Sequence, residues 1–162
     1  METVCKPKRV QIIKSRLMGY RERERDIDNQ IERIENLEEK LFSLRSPVIS
    51  GMPASHNAAK DKIANMIAQK DELEREVRML VSMQDKERAW IEGMLSYLQK
   101  ANERACIRMR YIDAENWSKV AEMLFGNMDD FNDRMDSYIR RTTKTHNRAI
   151  EKMADYLTDE EQ

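Results

Sequence analysis

The sequence predicts an all-α protein: a long antiparallel helical hairpin or coiled coil followed by a C-terminal helix-turn-helix. Three observations lead there. Apolar residues recur three and four positions apart in a heavily charged background, most clearly at Ile27, Ile31, Ile34, Leu37, Leu41 and Leu44. Charged residues make up 36% of the 162-residue chain and hydrophobic ones 40%, with only 4 Gly and 3 Pro, a balance typical of long helices. Strand-like alternation and internal repeats are not evident. Aromatics stand at 6% against 12 Met, which fits an adaptable helical interface better than an aromatic-rich enzyme core.

Taken in order, residues 1–19 read as a basic N-terminal arm. Lys6, Lys8, Arg9, Lys14 and Arg16 meet few acids there, and Arg21, Arg23 and Arg25 continue the run. Such a segment is either a DNA arm on phosphates or a minor groove, or a solvated tail. Residues 20–85 form the hairpin. Its first helix carries the Ile27–Leu44 stripe, whose spacing slips between Ile34 and Leu37, so a perfect heptad is not sustained and a short antiparallel bundle is expected. Pro47, Ser50, Gly51, Pro53 and Ser55 mark a loop over 46–57, because neither proline can continue a helix. The second helix starts near Asn57 and carries Ile63, Met66, Ile67, Leu73, Val77, Leu80 and Met83.

Residues 86–154 are assigned to the helix-turn-helix region. Trp90, Ile91, Met94, Leu95 and Leu98 continue through Ala105, Ile107, Met109 and Ile112, as one bent helix or two, with Gly93 a mild weakener. Asp113 and Ala114 interrupt this stripe. Asn116 is a good N-cap for a short helix opening at Trp117, with Val120, Ala121 and Leu124 inward. The acidic stretch 125–136 reads as a long turn. A last helix follows from about Ser137 to Met153, and 155–162 is an acidic tail.

On that last helix, Ile139, Ala149, Ile150 and Met153 form the buried stripe, with Tyr138 at its margin. Ser137, Arg140, Arg141, Thr143, Lys144, Asn147 and Arg148 then fall on the other faces. These are the residue types that groove recognition needs. Arg and Lys neutralise phosphates, Arg can clamp guanine, Asn can pair with adenine, and hydroxyls can donate to phosphate. A solvated amphipathic helix gives the same charge pattern. The preceding turn and short helix shift the reading towards double-stranded DNA.

Catalysis has little to stand on: the chain has no Gly-rich phosphate loop, no Ser/His/Asp set and no zinc spacing. His56 in the loop and His146 on the last helix lack ligand partners at metal spacing, so neither metal nor cofactor is expected. His146 is read as a packing or phosphate-contacting residue, Cys106 as a small buried apolar one, and Trp117 as the wedge of the turn. Cys5 and Cys106 form no paired motif, which suggests a reducing compartment. No segment has the apolar length to cross a bilayer, and a soluble intracellular chain is expected.

At Arg110-Tyr111-Ile112-Asp113, followed by Trp117-Ser118-Lys119-Val120-Ala121, the chain resembles the ArpU/RinA-like group of phage late-gene transcriptional regulators. The C-terminal part of that group is similar to sigma-factor region four. The closing helix, Tyr138-Ile139-Arg140-Arg141 and then His146-Asn147-Arg148-Ala149-Ile150, fits the same pattern. Two features depart from it: Ala114 stands where a Gly is usual, and 125–136 is longer than a compact turn. The resemblance implies a sequence-specific transcriptional activator of phage or prophage late genes in the bacterial cytoplasm. Double-stranded DNA, RNA polymerase and further copies of the chain are the implied partners. A small terminase-like DNA-packaging protein and a coiled-coil adaptor without DNA are the alternatives.

Overall fold

The computed structural model describes residues 6–45 and 56–157. Cys5, most of the expected loop 46–57 and residues 158–162 of the expected acidic tail lie outside them. Five α-helices and one π-helical turn account for the regular structure, and no strand occurs among the described residues: α1 Lys6–Arg45, α2 His56–Ser96, α3 Ala101–Ile107, the π turn Arg108–Ile112, α4 Trp117–Phe125 and α5 Met135–Tyr156. The all-α expectation therefore holds, long N-terminal helix pair included. Two compact units divide the chain, one built from the segments 1–22 and 86–162 and the other from 23–85.

Within the 23–85 unit, α1 and α2 run antiparallel. Glu38 pairs with Lys70 at 2.7 Å, and Arg23 donates to Gln84 at 3.3 Å, so positions rise on one helix as they fall on the other. Leu41, Met66, Leu73 and Gln84 are buried, with Ile27, Gln30, Ile34, Leu37, Ile63, Lys70, Val77 and Leu80 half-buried. On α2 the positions 63, 66, 70, 73, 77, 80 and 84 alternate steps of three and four. On α1 the seam runs 27, 30, 34, 37 and 41. The expected slip in the heptad is thus absent: Gln30 takes the inward position that the sequence reading assigned to Ile31, which is 40% exposed. Lys70 sits in the seam between Glu38 and Glu74, and the hydrogen bond to Glu38, followed by that to Glu74, holds its pKa above the usual lysine value.

The other unit corrects the reading of 1–19 as an arm. Residues 6–19 of that stretch enter α1, where Val10, Ile13, Leu17 and Tyr20 repeat at steps of three, four and three. Ile13, Leu17 and Tyr20 join Ile91, Met94, Leu95 and Leu98 of α2, Ile107, Tyr111 and Ile112, and Ala149, Ile150, Met153, Ala154 and Leu157 in one core. A buried aliphatic side chain contributes roughly 1.5–3 kcal/mol, against about 0–1 kcal/mol for an exposed ion pair. The apolar stripe therefore outweighs repulsion among the surrounding cations. Those cations are also engaged within the fold. Lys6 meets Asp155 at 2.6 Å, and Arg16 forks onto Glu87 at 2.6 and 3.0 Å while lying 3.4 Å from the centre of the Trp90 ring. Leu157, assigned to the tail by sequence, is buried in the same core.

The expected division at residue 85 does not interrupt the helix, since α2 continues to Ser96 with Gly93 inside it. The break comes at 97–100. There the Arg104 guanidinium donates to the carbonyls of Leu98 and Gln99, in the link that follows the helix end. Lys100 is extended (φ −83°, ψ 127°) and α3 begins.

After the π turn, Ala114 takes φ 56°, the only positive value among the described residues. The Glu115 N–H donates at 2.9 Å to the Met109 carbonyl, six residues back, a bond that the left-handed Ala114 allows to close the end of the π turn. A Cβ in that region costs about 1–2 kcal/mol. Ala114→Gly should therefore stabilise the chain by about 0.5–1 kcal/mol after the entropy of glycine is subtracted. Urea melts check this, and a lower midpoint for the glycine variant would contradict it.

Candidate nucleic-acid interface

Two arginines pin the turn between the π turn and α4. Arg21 from α1 donates to the Ala114 carbonyl at 2.9 Å, and Arg110 donates to the Glu115 carbonyl at 2.8 Å. Asn116 then caps α4 as expected, its Oδ1 accepting the Lys119 N–H at 2.9 Å. Trp117 lies beneath the Arg110 guanidinium (4.7 Å) and edge-on to the His146 ring of α5 (5.0 Å, 85°). Val120 and Ala121 are fully buried, and Ala121, Phe125 and Phe131 form a second apolar cluster with Leu124, Tyr138 and Ile139. The short helix thus packs on α5 through Trp117 at one end and Phe125 at the other. Phe131 anchors the long 126–134 turn, and Tyr138 donates to Asp130 at 2.6 Å.

His146 is a packing residue. It is 6% exposed, its Nε2 lies 2.9 Å from the Tyr111 hydroxyl, and its Nδ1 lies 3.2 Å from Asn147 Oδ1. One neutral tautomer satisfies both contacts: Nδ1–H donates to Asn147, and Nε2 accepts from Tyr111. Burial, foremost, pushes its pKa below 6.5, with Lys14 and Arg110 acting in the same direction and the Asn147 bond opposing. Between the lowered folded value and the unfolded value, the unfolded chain binds more protons. The stability contributed by the neutral ring is therefore complete above about pH 6.5 and falls as pH drops through that window. A thermal-melt series from pH 7.5 to 5 should show this fall, and His146→Asn should flatten it. An equal slope in the variant would assign the dependence elsewhere.

At about 100° per residue, α5 separates cleanly into faces. Thr142, His146, Ala149, Ile150, Met153 and Ala154 are buried, and Ile139 is half-buried rather than fully inward. Opposite them, Ser137, Arg140, Arg141, Lys144, Asn147 and Arg148 are exposed, so the structure brings these sequence-selected residues onto one surface. Thr143 is the partial exception: it is half-buried, and its hydroxyl donates to the Ile139 carbonyl at 3.1 Å. Among the described residues, Arg140, Arg141, Lys144 and Arg148 have no carboxylate partner. Arg140 touches only the Asp136 carbonyl, and Arg141 lies 4.7 Å above the Phe125 ring. The first turn of α5 carries Asp136 with Asp133 just before it, so the cationic surface is centred in mid-helix, not at the N-terminus.

A concavity of about 270 Å³ flanks this surface, lined by Lys100, Asn102, Glu103, Phe125, Arg141, Lys144, Thr145 and Arg148. Glu103 is 1% exposed, and Lys152 meets both of its oxygens at 2.8 and 2.9 Å. The one acid of the concavity is thereby neutralised and four cations remain. Sequence reasoning missed Lys100 and Asn102. They lie some forty residues from α5, and their only local signal is the lysine just before a helix start.

Elsewhere, a larger open groove of about 620 Å³ runs along the helix pair between Arg33, Leu37, Lys40, Gln69 and Leu73. Cys106 is buried 3.8 Å from the Thr142 carbonyl, and its thiol is pushed up to about 12 by burial, which suits it to packing rather than reactivity. No group of three or more metal-binding side chains is found among the described residues, and none of their helices is long and apolar enough to cross a membrane. Protein-family models, curated proteins and solved structures show no match to the chain.

Proposed function

We propose that this chain is a sequence-specific double-stranded DNA-binding transcriptional regulator of phage or prophage late genes, an activator working as a homo-oligomer in the bacterial cytoplasm. The observation that carries the reading is the outward face of α5. Arg140, Arg141, Lys144 and Arg148 stand in solvent opposite a fully packed stripe, braced by α4, and have no carboxylate partner among the described residues. Cations that merely solubilise a helix are commonly matched by acids three or four positions away, as Arg75 is by Glu72. Here Asp136 and Glu151 stand four and three positions from Arg140 and Arg148, yet none of the four cations pairs with a carboxylate among the described residues. Phosphate contacts from Arg141, Lys144 and Arg148 of one protomer correspond to a salt slope of about −2.7 on B-DNA, at roughly 0.9 per contact.

The resemblance at Arg110–Asp113 and Trp117–Ala121 supports the phage late-gene assignment, and a polymerase contact follows from it. The helix pair supports self-association: Ile31, Phe42, Met79 and Met83 are each at least 40% exposed there, an apolar surface suited to further copies. Sequencing of genomic duplex fragments retained by the full chain tests the reading. Enrichment of promoter-proximal fragments is the expected result. Retention without promoter preference, together with ring-sized assemblies in light scattering, would favour a packaging protein. Failure to retain duplex DNA at low salt would leave a coiled-coil adaptor.

A further inference from the structure

We infer that the concavity between Lys100–Glu103 and the Arg141 side of α5 is a phosphodiester-backbone clamp, separate from the surface that reads bases. The inference rests on the DNA-binding reading and deepens it. On the α5 wheel, Arg141, Lys144, Thr145 and Arg148 lie within about 100° of one another and all line the concavity, whereas Arg140, Thr143 and Asn147 point to the opposite flank. The two flanks differ chemically. The concave one gathers four cations from two separate segments around a recess, the arrangement that neutralises a polyanion whatever its sequence. The other projects an arginine and an amide from a convex helix, the arrangement that reaches base edges.

Three details favour a phosphate in the recess. Lys152 holds the Glu103 carboxylate on both oxygens, so the negative charge on the wall is already compensated. Phe125 lies under the Arg141 guanidinium and restricts it before any ligand arrives, which lowers the entropy lost on binding. The Thr145 hydroxyl donates to the Arg141 carbonyl at 3.0 Å and only lines the wall, leaving Asn102 as the neutral donor. Lys100 is the residue that marks this assignment. It lies outside α5, its exposed side chain makes no cap bond, and only its backbone carbonyl supports α3, by accepting from Glu103 and Arg104. Replacing its side chain therefore leaves the fold intact.

The test is a titration of the full chain with a cognate and an unrelated duplex, at several salt concentrations, for the unaltered protein, Lys100→Ala, Lys100→Arg and Asn147→Ala. Lys100→Ala should weaken both duplexes by the same factor, roughly tenfold, and reduce the salt slope by about 0.9. Lys100→Arg should restore both. Asn147→Ala should weaken the cognate duplex more than the unrelated one and leave the slope in place. If the unaltered chain binds and Lys100→Ala keeps its slope, or loses affinity for the cognate duplex alone, the clamp is overturned while the DNA reading stands. If the unaltered chain binds neither duplex at low salt, both fall.

Discussion

Replacing Arg141, Lys144 and Arg148 together with alanine should all but abolish duplex binding at physiological salt. Each cation lost from a phosphate contact removes about 0.9 from the salt slope, so the triple variant should flatten it by about 2.7. At roughly tenfold per contact, affinity should fall about a thousandfold. Folding should be spared, because all three side chains are exposed and none is paired with a carboxylate among the described residues. Fluorescence anisotropy across a salt series, with a thermal melt as the control, reads both effects. Unchanged slope with an unchanged melt would mean that the outward face of α5 is only a solvated surface.

The second large effect is expected at Lys152. Its ammonium is the partner of a glutamate buried under α5, and Lys152→Ala leaves that carboxylate without a countercharge. Stranding one member of a fully buried pair costs about 3–5 kcal/mol. Lys152 is 37% exposed, so water can enter where the ammonium stood, and about 2 kcal/mol is the expected loss. Glu103 also lines the phosphate recess, so the same change places an uncompensated negative charge beside Arg141 and Arg148 and should weaken DNA binding as well. Adding Glu103→Gln to Lys152→Ala should recover most of both losses, since a neutral amide needs no counterion. Recovery of neither would show that Lys152 acts through its stem packing, and the pair would drop out of the account.

The helical character of the chain was plain in the sequence wherever one apolar stripe faced one partner. The Ile27–Leu41 run, the Ile63–Leu80 run and the buried face of α5 all follow from a 3.6-residue period, and the Asn116 cap follows from its side-chain acceptor. What escaped had competing signals or none. Val10, Ile13, Leu17 and Tyr20 make as regular a stripe as any, but the density of Lys and Arg around them favoured an arm. Gln30 takes an inward seam position because geometry, not hydrophobicity, sets the three-four alternation. No Pro marks the end of α2, and Gly93 lies inside it; the link that follows is held by Arg104, whose guanidinium takes the carbonyls of Leu98 and Gln99, a contact that no apolar period signals.

The candidate site was legible to the same degree. The outward residues of α5 could be selected from the wheel alone, and Ala114 stood out because a glycine was expected where the backbone turns left-handed. His146 was open between packing and phosphate contact, and burial against Tyr111 and Trp117 decides for packing. The half of the concavity formed by Lys100 and Asn102 depends on the packing of α3 against α5, which residue spacing does not encode.

The most direct measurement is a backbone-amide NMR titration of the full chain with a short duplex at low salt. The account predicts shifts concentrated at residues 137–148 and 100–102, with the helix pair of 23–85 unmoved. Shifts confined to that pair, or none anywhere at saturating duplex, would contradict it.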